Sequence, residues 1–461
     1  MTYELCQSRL RQHLEWESVL SSHVATDSRR VQSQSDLESY ILAGCKPTSQ
    51  WVIGTEHEKI GWWPDRGRSP DYYDPRGIRS VLEGFKQFGW VANAADETLL
   101  ALSRGRATIT LEPGGQLELS GAPLKSLFET AAEFDQHLDE LKQISQTLGL
   151  QWSGVGLHPY GNPLDAPRMP KPRYDILESR LLNAGQLGIH MMRQTATVQA
   201  NFDFGSEADA MRKWYASVMV QPIVMALFAN SPVVNGADGH HLSFRSKIWL
   251  DTDDARCRLP NELLRPTVTL AEYVSWTCQV PMLFIHRDGQ YLDCRGRSFN
   301  EFMTHGWSGH SANLGDYGLH LSTLFPDVRL KQFLEVRGAD MGNRESVMAL
   351  PAFHAGLLYD SRALDSVIDC FAGLDESTWN AIRMAVCRDG LRARVGPYDV
   401  GALAEHLVEQ AIDGLSRWEP AACVFLDSFL DRAKRRTSPA DELLETFKKQ
   451  PDSLLDATRL V

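Results

Sequence analysis

The sequence predicts an α+β fold in which helices cover one side of an antiparallel sheet. Strand-like and helical runs are interleaved without a regular order between about residues 50 and 355, and four strand-like runs alternate polar with apolar residues. This alternation is typical of antiparallel sheets that pack one face against a core. After about residue 360 the pattern is mostly helical, which predicts a helical C-terminal part.

The four alternating runs are the predicted strands of this sheet. They are Ile53–Lys59, Thr108–Ser120, Thr197–Phe204 and Phe333–Arg337. In the first run Glu56 and Glu58 lie two residues apart, so their side chains share one face. In the second, Pro113-Gly114-Gly115 predicts a turn or bulge between two alternating segments. In the last, Glu335 and Arg337 share a face.

Helical spacing of apolar residues predicts a helix within residues 125–149. Ser206 with Asp209 predicts the start of a second helix that runs toward Asn230, with a kink at Pro222. These helices provide the cover for the sheet.

Start signals near the two ends suggest a division of the chain. Ser35 with Glu38 forms a capping box for a short helix that should stop at Gly44, and Ser438-Pro439 opens a late helix. We expect an N-terminal helical arm over 1–34, a catalytic domain over 35–440 and a helical tail over 441–461.

Composition excludes several classes of protein. The chain has 461 residues, 43% apolar and 23% charged, as in a folded globular protein, and its net charge of −12 argues against nucleic-acid or anionic-membrane partners. It has no run of about 18 apolar residues, and its first 35 residues lack a signal-peptide core. The eight cysteines form no CxxC pair. We therefore expect a cytoplasmic protein with reduced thiols.

Carboxylates dominate the polar face of the predicted sheet. Because packed carboxylates repel one another, a hard cation relieves them best, and Mg²⁺ prefers oxygen ligands together with substrate phosphates. We interpret five side chains as metal ligands around a nucleotide: Glu56, Glu58, Glu112, Glu118 and Glu335. Gln199 or Asn201 would be a further ligand or hydrogen-bonding partner. The alternative for each strand is an ordinary solvent-facing polar side.

Basic residues near these runs could hold anionic substrates. Arg245 stands among apolar residues, as either a structural ion pair or a carboxylate clamp. Lys171 and Arg173 lie on a proline-stiffened segment, either solvated or binding substrate. His57 should point away from its neighbouring glutamates, into the core. The chain lacks a GxxxxGK[ST] phosphate loop, an HExxH zinc motif and a GxSxG elbow.

Several of these segments together resemble one family. Gly54–Lys59 is similar to the GTEHEK strand of the plant and proteobacterial type of glutamate–cysteine ligase, and Glu112–Gly121 to its EPGGQxELSG segment. Further similar segments follow in the family's order: Thr195–Asn201, Ala229–Pro232, Phe244–Trp249, Glu335–Asp340 and Leu350–Phe353. The resemblance covers about residues 35 to 440.

This resemblance implies a glutamine-synthetase-like half-barrel of antiparallel strands that holds ATP as co-substrate and two or three Mg²⁺ ions on the five glutamates. It implies that ATP phosphorylates the γ-carboxylate of L-glutamate and that the amine of L-cysteine attacks the γ-glutamyl phosphate, the first step of glutathione biosynthesis. Arg245 would hold glutamate, Arg337 would lie near the transferring phosphate, and Glu56 and Glu118 would be essential for catalysis.

Departures from the family pattern leave the amine acceptor open. Gln194 replaces an arginine, Asn343 and Arg344 fall where GGPW is usual, and His354 replaces a tryptophan. We expect the acceptor pocket around these four residues. The alternatives are a ligase with another amine acceptor and a non-catalytic binding or regulatory homologue. Cys294 matches one member of the plant redox pair, but no partner cysteine is present, so no redox switch is expected. The assembly is predicted to be a monomer or homodimer.

Overall fold

The computed structural model describes residues 27–92 and 98–461. Its strands are β1 (Ile53–Trp62), β2 (Val91–Ala92), β3 (Ala101–Arg104), β4 (Ala107–Leu111), β5 (Leu117–Ser120), β6 (Gln151–Ser153), β7 (Thr197–Phe202), β8 (Val233–Val234), β9 (Ala237–Asp238), β10 (Phe284–Arg287), β11 (Gln290–Asp293), β12 (Val328–Leu330), β13 (Leu334–Asp340), β14 (Arg394–Val395) and β15 (Tyr398–Asp399).

The α-helices of this described part are α1 (Gln34–Leu42), α2 (Ile78–Phe85), α3 (Leu127–Leu148), α4 (Arg173–Leu181), α5 (Gly188–Gln194), α6 (Glu207–Leu227), α7 (Phe244–Trp249), α8 (Asp254–Cys257), α9 (Leu270–Gln279), α10 (Phe299–His305), α11 (Leu314–Ser322), α12 (Arg344–Leu358), α13 (Ser361–Cys370), α14 (Glu376–Asp389), α15 (Val400–Trp418), α16 (Asp427–Arg435), α17 (Pro439–Lys449) and α18 (Leu454–Ala457). Short 3₁₀ turns occupy Thr48–Gln50, Lys86–Phe88, Asn261–Leu263, Gly390–Arg392, Pro420–Leu426 and Pro451–Ser453.

The main sheet contains nine of the described strands. Their spatial order is β12-β13-β7-β1-β5-β4-β3-β2, with β6 paired to the far end of β1. Every neighbouring pair is antiparallel. The other described strands form three separate two-stranded ribbons. The central position of β1 explains why all ten of its residues are buried.

Helices cover the apolar face of this sheet. Val198, Ala200 and Phe202 of β7 belong to the larger core, which also contains the almost entirely buried helices α6 and α12. A second core lies under α2 and α3 around Phe85 and Trp152. In residues 27–92 and 98–461, no helix combines the length and apolar character needed to cross a membrane.

The predicted helix starts are mostly confirmed. The helix predicted within 125–149 is α3, whose N-cap Ser126 accepts from the Phe128 amide. The Ser206 hydroxyl caps α6, which continues through Pro222, and Ser438 caps α17 with Pro439 in its first turn.

The capping box predicted at Ser35 and Glu38 is wrong by two residues. Ser33 and Asp36 form it instead, because the Asp36 carboxylate reaches the Ser33 amide. Residues 1–26 of the predicted arm lie outside the described residues, and residues 27–33 are not helical, with Arg30 paired to Asn313 in an antiparallel bridge. The division into three parts stays a prediction.

Candidate active site

Strand register brings the predicted polar residues together on one face of the main sheet. Glu56 lies opposite Ser120 of β5 on one side and Gln199 of β7 on the other, and Glu58 lies opposite Glu118. At the next strand, Glu335 lies opposite Asn201. Because directly opposed residues in an antiparallel pair share a face, these pairings place six acidic and amide positions in one continuous polar surface.

A cavity lies on this polar face. Nine of the eleven predicted site residues line it: Glu56, Glu58, Glu112, Glu118, Arg173, Gln199, Arg245, Glu335 and Arg337. The remaining two, Asn201 and Lys171, do not line the cavity. Asn201 donates its amide to Glu56 Oε1 at 2.9 Å, and Lys171 Nζ donates to the Leu111 carbonyl at 2.7 Å. Lys171 is buried, so the solvated alternative is wrong for this residue.

The turn after β4 places Glu112 at the cavity. The Gly115 amide donates to the Glu112 carbonyl, and Gly115 has φ of 86°, a left-handed conformation that glycine adopts readily. The side-chain amide of Gln116 then holds this turn against the Thr195 carbonyl at 2.8 Å. The predicted turn at Pro113-Gly114-Gly115 is therefore confirmed.

Three of the carboxyl groups are in an environment that disfavours their charge. Burial, together with the charges of Glu335 and Glu118, raises the pKa of Glu56 to about 7. Burial and Glu112 likewise raise the pKa of Glu118 to about 7, although the Ser120 hydroxyl donates to it at 2.5 Å. Burial, then Glu112 and Glu118, raises the pKa of Glu58. A cation placed among these groups would relieve that repulsion.

Glu335 differs from the other glutamates because cations surround it. Arg329 Nε and Nη2 donate to its two oxygens at 2.5 and 3.0 Å, and Lys331 Nζ and Arg337 Nη1 each lie 3.4 Å away. Burial alone would raise the pKa of Glu335, but these three cations lower it well below the ordinary value. Its charge is therefore already compensated by the protein.

A bulge in β13 positions the two predicted arginines. The register with β7 shifts between Val336 and Ala339, which turns Arg337 toward the cavity, where its Nη1 donates to Gln199 Oε1 at 2.7 Å. Arg245, buried under the same bulge, donates to the Arg337 and Gly338 carbonyls at 3.0 and 3.3 Å. Its distance to Asp340 Oδ1 is 3.8 Å. Arg245 thus supports the bulge and also lines the cavity.

Sequence reasoning missed the cationic side of the cavity. Arg329 and Lys331 line it and lie on or next to β12, which pairs with β13 so that Arg329 is opposite Glu335. The signal was present, because Val328-Arg329-Leu330-Lys331 alternates apolar and basic residues immediately before the last predicted strand. The missed apolar side includes Met191, Met192, Trp249, Leu283, Phe284 and Phe325.

The predicted acceptor pocket is wrong. None of Gln194, Asn343, Arg344 and His354 lines the cavity. The Arg344 guanidinium pairs with Asp135 at 2.6 Å on the surface, and Asn343 caps α12. His354 packs against Phe202 on the apolar face of the sheet, opposite the polar cavity. His57 is buried in the core, as predicted, with its Nδ1 2.7 Å from Lys59 Nζ.

Within residues 27–92 and 98–461, no three His, Cys, Asp or Glu side chains are arranged to hold one metal ion. Mg²⁺ usually takes only one or two protein carboxylates and completes its shell with water and substrate phosphates. The acidic side of this cavity offers carboxylate oxygens of the right chemical type for that mode, and the substrate would supply the rest.

The model of glutamate–cysteine ligase family 2 matches residues 52–446, a range that includes every strand of the acidic face and the cavity. The chain belongs to this family. The resemblance to glutamate–cysteine ligases that the sequence predicted is therefore confirmed. The predicted enzyme class, a ligase that forms a carbon–nitrogen bond, is confirmed as well.

Plant members of glutamate–cysteine ligase family 2 are similar along most of their length. Chloroplastic glutamate–cysteine ligase A of Oryza sativa subsp. indica is 39% identical over 420 residues, covering 90% of this chain and 85% of the relative. The chloroplastic enzyme of Arabidopsis thaliana is 39% identical over 422 residues, covering 90% and 80%. These names contradict the predicted cytoplasmic location, which the first 35 residues alone could not establish.

A solved structure supports the fold. Glutamate–cysteine ligase from Francisella tularensis, determined in complex with AMP, superposes with a TM-score of 0.54 at 13% identity and covers 88% of this chain and 87% of that one. The α+β prediction, with an antiparallel sheet covered by helices and a helical C-terminal part, is confirmed.

Proposed function

We propose that this protein is an ATP-dependent ligase that joins the γ-carboxylate of L-glutamate to the amine of L-cysteine through a γ-glutamyl phosphate, the first step of glutathione biosynthesis. Family membership over residues 52–446 carries the proposal. The cavity supports it, because carboxylates and cations face each other there, as phosphoryl transfer from a metal-bound nucleotide requires.

Glu56, Glu58, Glu112 and Glu118 are proposed to hold Mg²⁺. When bound, the metal would neutralise phosphate charge during transfer. Their burial and mutual repulsion support this role. Glu335, the fifth predicted ligand, would use the lone pairs that remain on its oxygens beside the hydrogen bonds from Arg329. Asn201 would fix the Glu56 carboxylate.

Cationic residues of the cavity are proposed to bind the anionic groups. Arg337, held by Gln199, would contact the transferring phosphate, and Arg245 would hold glutamate. Arg173 lines the cavity close to Glu112, where it would contact substrate, while Lys171 would act from behind through its charge on Glu118. Leu283, Phe284 and Phe325 would exclude water from the acyl phosphate.

Release of ADP measured with a panel of amines tests this proposal. ADP formation should require glutamate, and cysteine should be the preferred acceptor, with 2-aminobutyrate accepted as its near-isostere. If an amine without an α-carboxylate is preferred, that amine and not cysteine is the acceptor substrate of this ligase. Absence of glutamate-dependent ADP release with every acceptor would refute the ligase proposal.

A further inference from the structure

A second cavity, separate from the catalytic one, is lined by cationic and hydroxyl-bearing side chains. It has a volume of about 470 Å³ and lies between Arg30, Arg297 and the segment from Met303 to Ser311. His305 and His310 also line it, and no aspartate or glutamate within residues 27–92 and 98–461 does. The chain has a net charge of −12, so this cavity, lined by arginines, differs from the rest of the molecule in carrying a local positive charge.

The guanidinium groups of the two arginines of this cavity have no anionic partner among the described residues. Among the described residues, the side chains of Arg30 and Arg297 form no ion pair and no hydrogen bond, and Arg297 Nε is shielded from solvent without an acceptor. A shielded donor that lacks a partner costs free energy. An anionic group bound in the cavity would supply acceptors for the parts of the two guanidinium groups that line it.

Three acids of neighbouring segments accept hydrogen bonds from donors other than Arg30 and Arg297. Asp27 accepts from Arg29, and Asp293 accepts from the Arg295 amide at 2.7 Å. Glu301 accepts from the Ser298 amide at 2.8 Å as part of a capping box. None of these three acids forms an ion pair with Arg30 or Arg297, although the charge of Arg297 acts on Glu301.

The cavity wall is also preformed. Trp307 and His310 exchange two backbone hydrogen bonds of 2.9 Å across Ser308 and Gly309, which have φ of 50° and 82°. Two successive left-handed residues are typical of a tight type I′ turn. Arg297 stacks on Trp307, with Cζ 4.2 Å from the ring centroid, so its guanidinium is held at one orientation.

We propose that this cavity binds a small molecule through a phosphate group, held by Arg30 and Arg297. The guanidinium fork matches phosphate oxygens with paired charge-assisted hydrogen bonds. A single inorganic phosphate would fill only part of the volume, so the preferred ligand carries an organic portion beside Trp307 and the hydroxyls of Thr304 and Ser311.

Calorimetric titration of the full chain with inorganic phosphate and with glucose 6-phosphate tests the site. Arg30→Gln and Arg297→Gln should each weaken one binding event about tenfold. Arg362→Gln is the matched control, because Arg362 is an exposed arginine elsewhere on the surface. The ligation rate without added phosphate and the unfolding midpoint should stay unchanged in all three variants.

The two probes distinguish free phosphate from a phosphorylated metabolite. Tighter binding of glucose 6-phosphate supports a ligand with an organic portion, and equal binding of the two overturns that part of the proposal. Isotherms that are identical in the unmodified protein, Arg30→Gln and Arg297→Gln overturn the whole site, as does the absence of a binding event with either probe. Phosphate bound in the catalytic cavity would persist in all variants and so remains distinguishable.

Discussion

Replacing Glu56 by glutamine should stabilise the metal-free protein much more at pH 8 than at pH 5. Burial and the neighbouring acids raise the pKa of this carboxyl from 4.5 to about 7. A group whose folded pKa lies above its unfolded pKa costs stability as pH rises from the lower to the higher value. Glutamine has no charge to lose, and its oxygen can still accept from Asn201.

The magnitude follows from the size of the pKa difference. Full ionisation of Glu56 in the folded state costs about 3 kcal/mol above pH 7, and this is an upper bound because Glu118 shares the same repulsion. Urea unfolding at pH 5 and pH 8, with a chelator present, measures the difference between variant and unmodified protein. At pH 5, just above the unfolded pKa of 4.5, the gain should fall to about 1 kcal/mol.

Glu335→Gln provides a control of opposite sign on the same sheet face. Its pKa is lowered by Arg329, Lys331 and Arg337, so the ionised form stabilises the fold at both pH values. Removing one partner of such a buried pair should cost about 3–5 kcal/mol. A Glu56→Gln protein that is less stable at pH 8, or whose stability difference is the same at both pH values, would refute the electrostatic reasoning.

Three further predictions concern the proposed catalytic site. Arg245→Lys should raise the Michaelis constant for glutamate at least about tenfold and that for ATP far less, since lysine lacks the paired donors; unchanged glutamate kinetics would remove Arg245 from the site. Arg344→Ala should leave the Michaelis constant for cysteine unchanged, because the Arg344 guanidinium pairs with Asp135 on the surface. A large increase in that constant would show that Arg344 does belong to the acceptor pocket. Mild oxidants should leave the ligation rate unchanged, because all seven described cysteines are free. In addition, burial, together with the charges of Asp293 and Asp316, raises the pKa of Cys294 to about 12, so this thiol is unreactive. Reversible inactivation that is absent in Cys294→Ser would contradict this prediction.

The polar face was predictable from sequence because strand periodicity is local. Glu56 and Glu58 must share a face whatever strand they pair with. Which residue lies opposite each of them depends on pairing between segments separated by more than a hundred residues, as for Glu56 and Gln199. The sequence contains no local signal for that register. It also could not distinguish a solvated Lys171 from the buried one, because the carbonyl that accepts from Lys171 belongs to Leu111, 60 residues away in the chain.

The acceptor pocket failed as a prediction for a related reason. Departure from a family pattern marks positions that differ, but it carries no information on which face of the sheet they occupy. His354 illustrates this, because α12 lies against the apolar face, so a residue there contacts Phe202 and not the cavity.

Pairing of β12 with β13 gives the cavity its electrical polarity. Without that pairing, the five predicted glutamates would be equivalent acids that repel one another. With Arg329 and Lys331 alongside Glu335, the face has an acidic half on β1 and β5, where no carboxylate forms such a direct ion pair among the described residues, and a cationic half on β12 and β13. We infer that a nucleotide phosphate would contact the cationic half directly and the acidic half only through a divalent cation. The charge needed to hold the cation and the charge needed to hold the phosphate are thus separated by strand order, although both come from one face of one sheet.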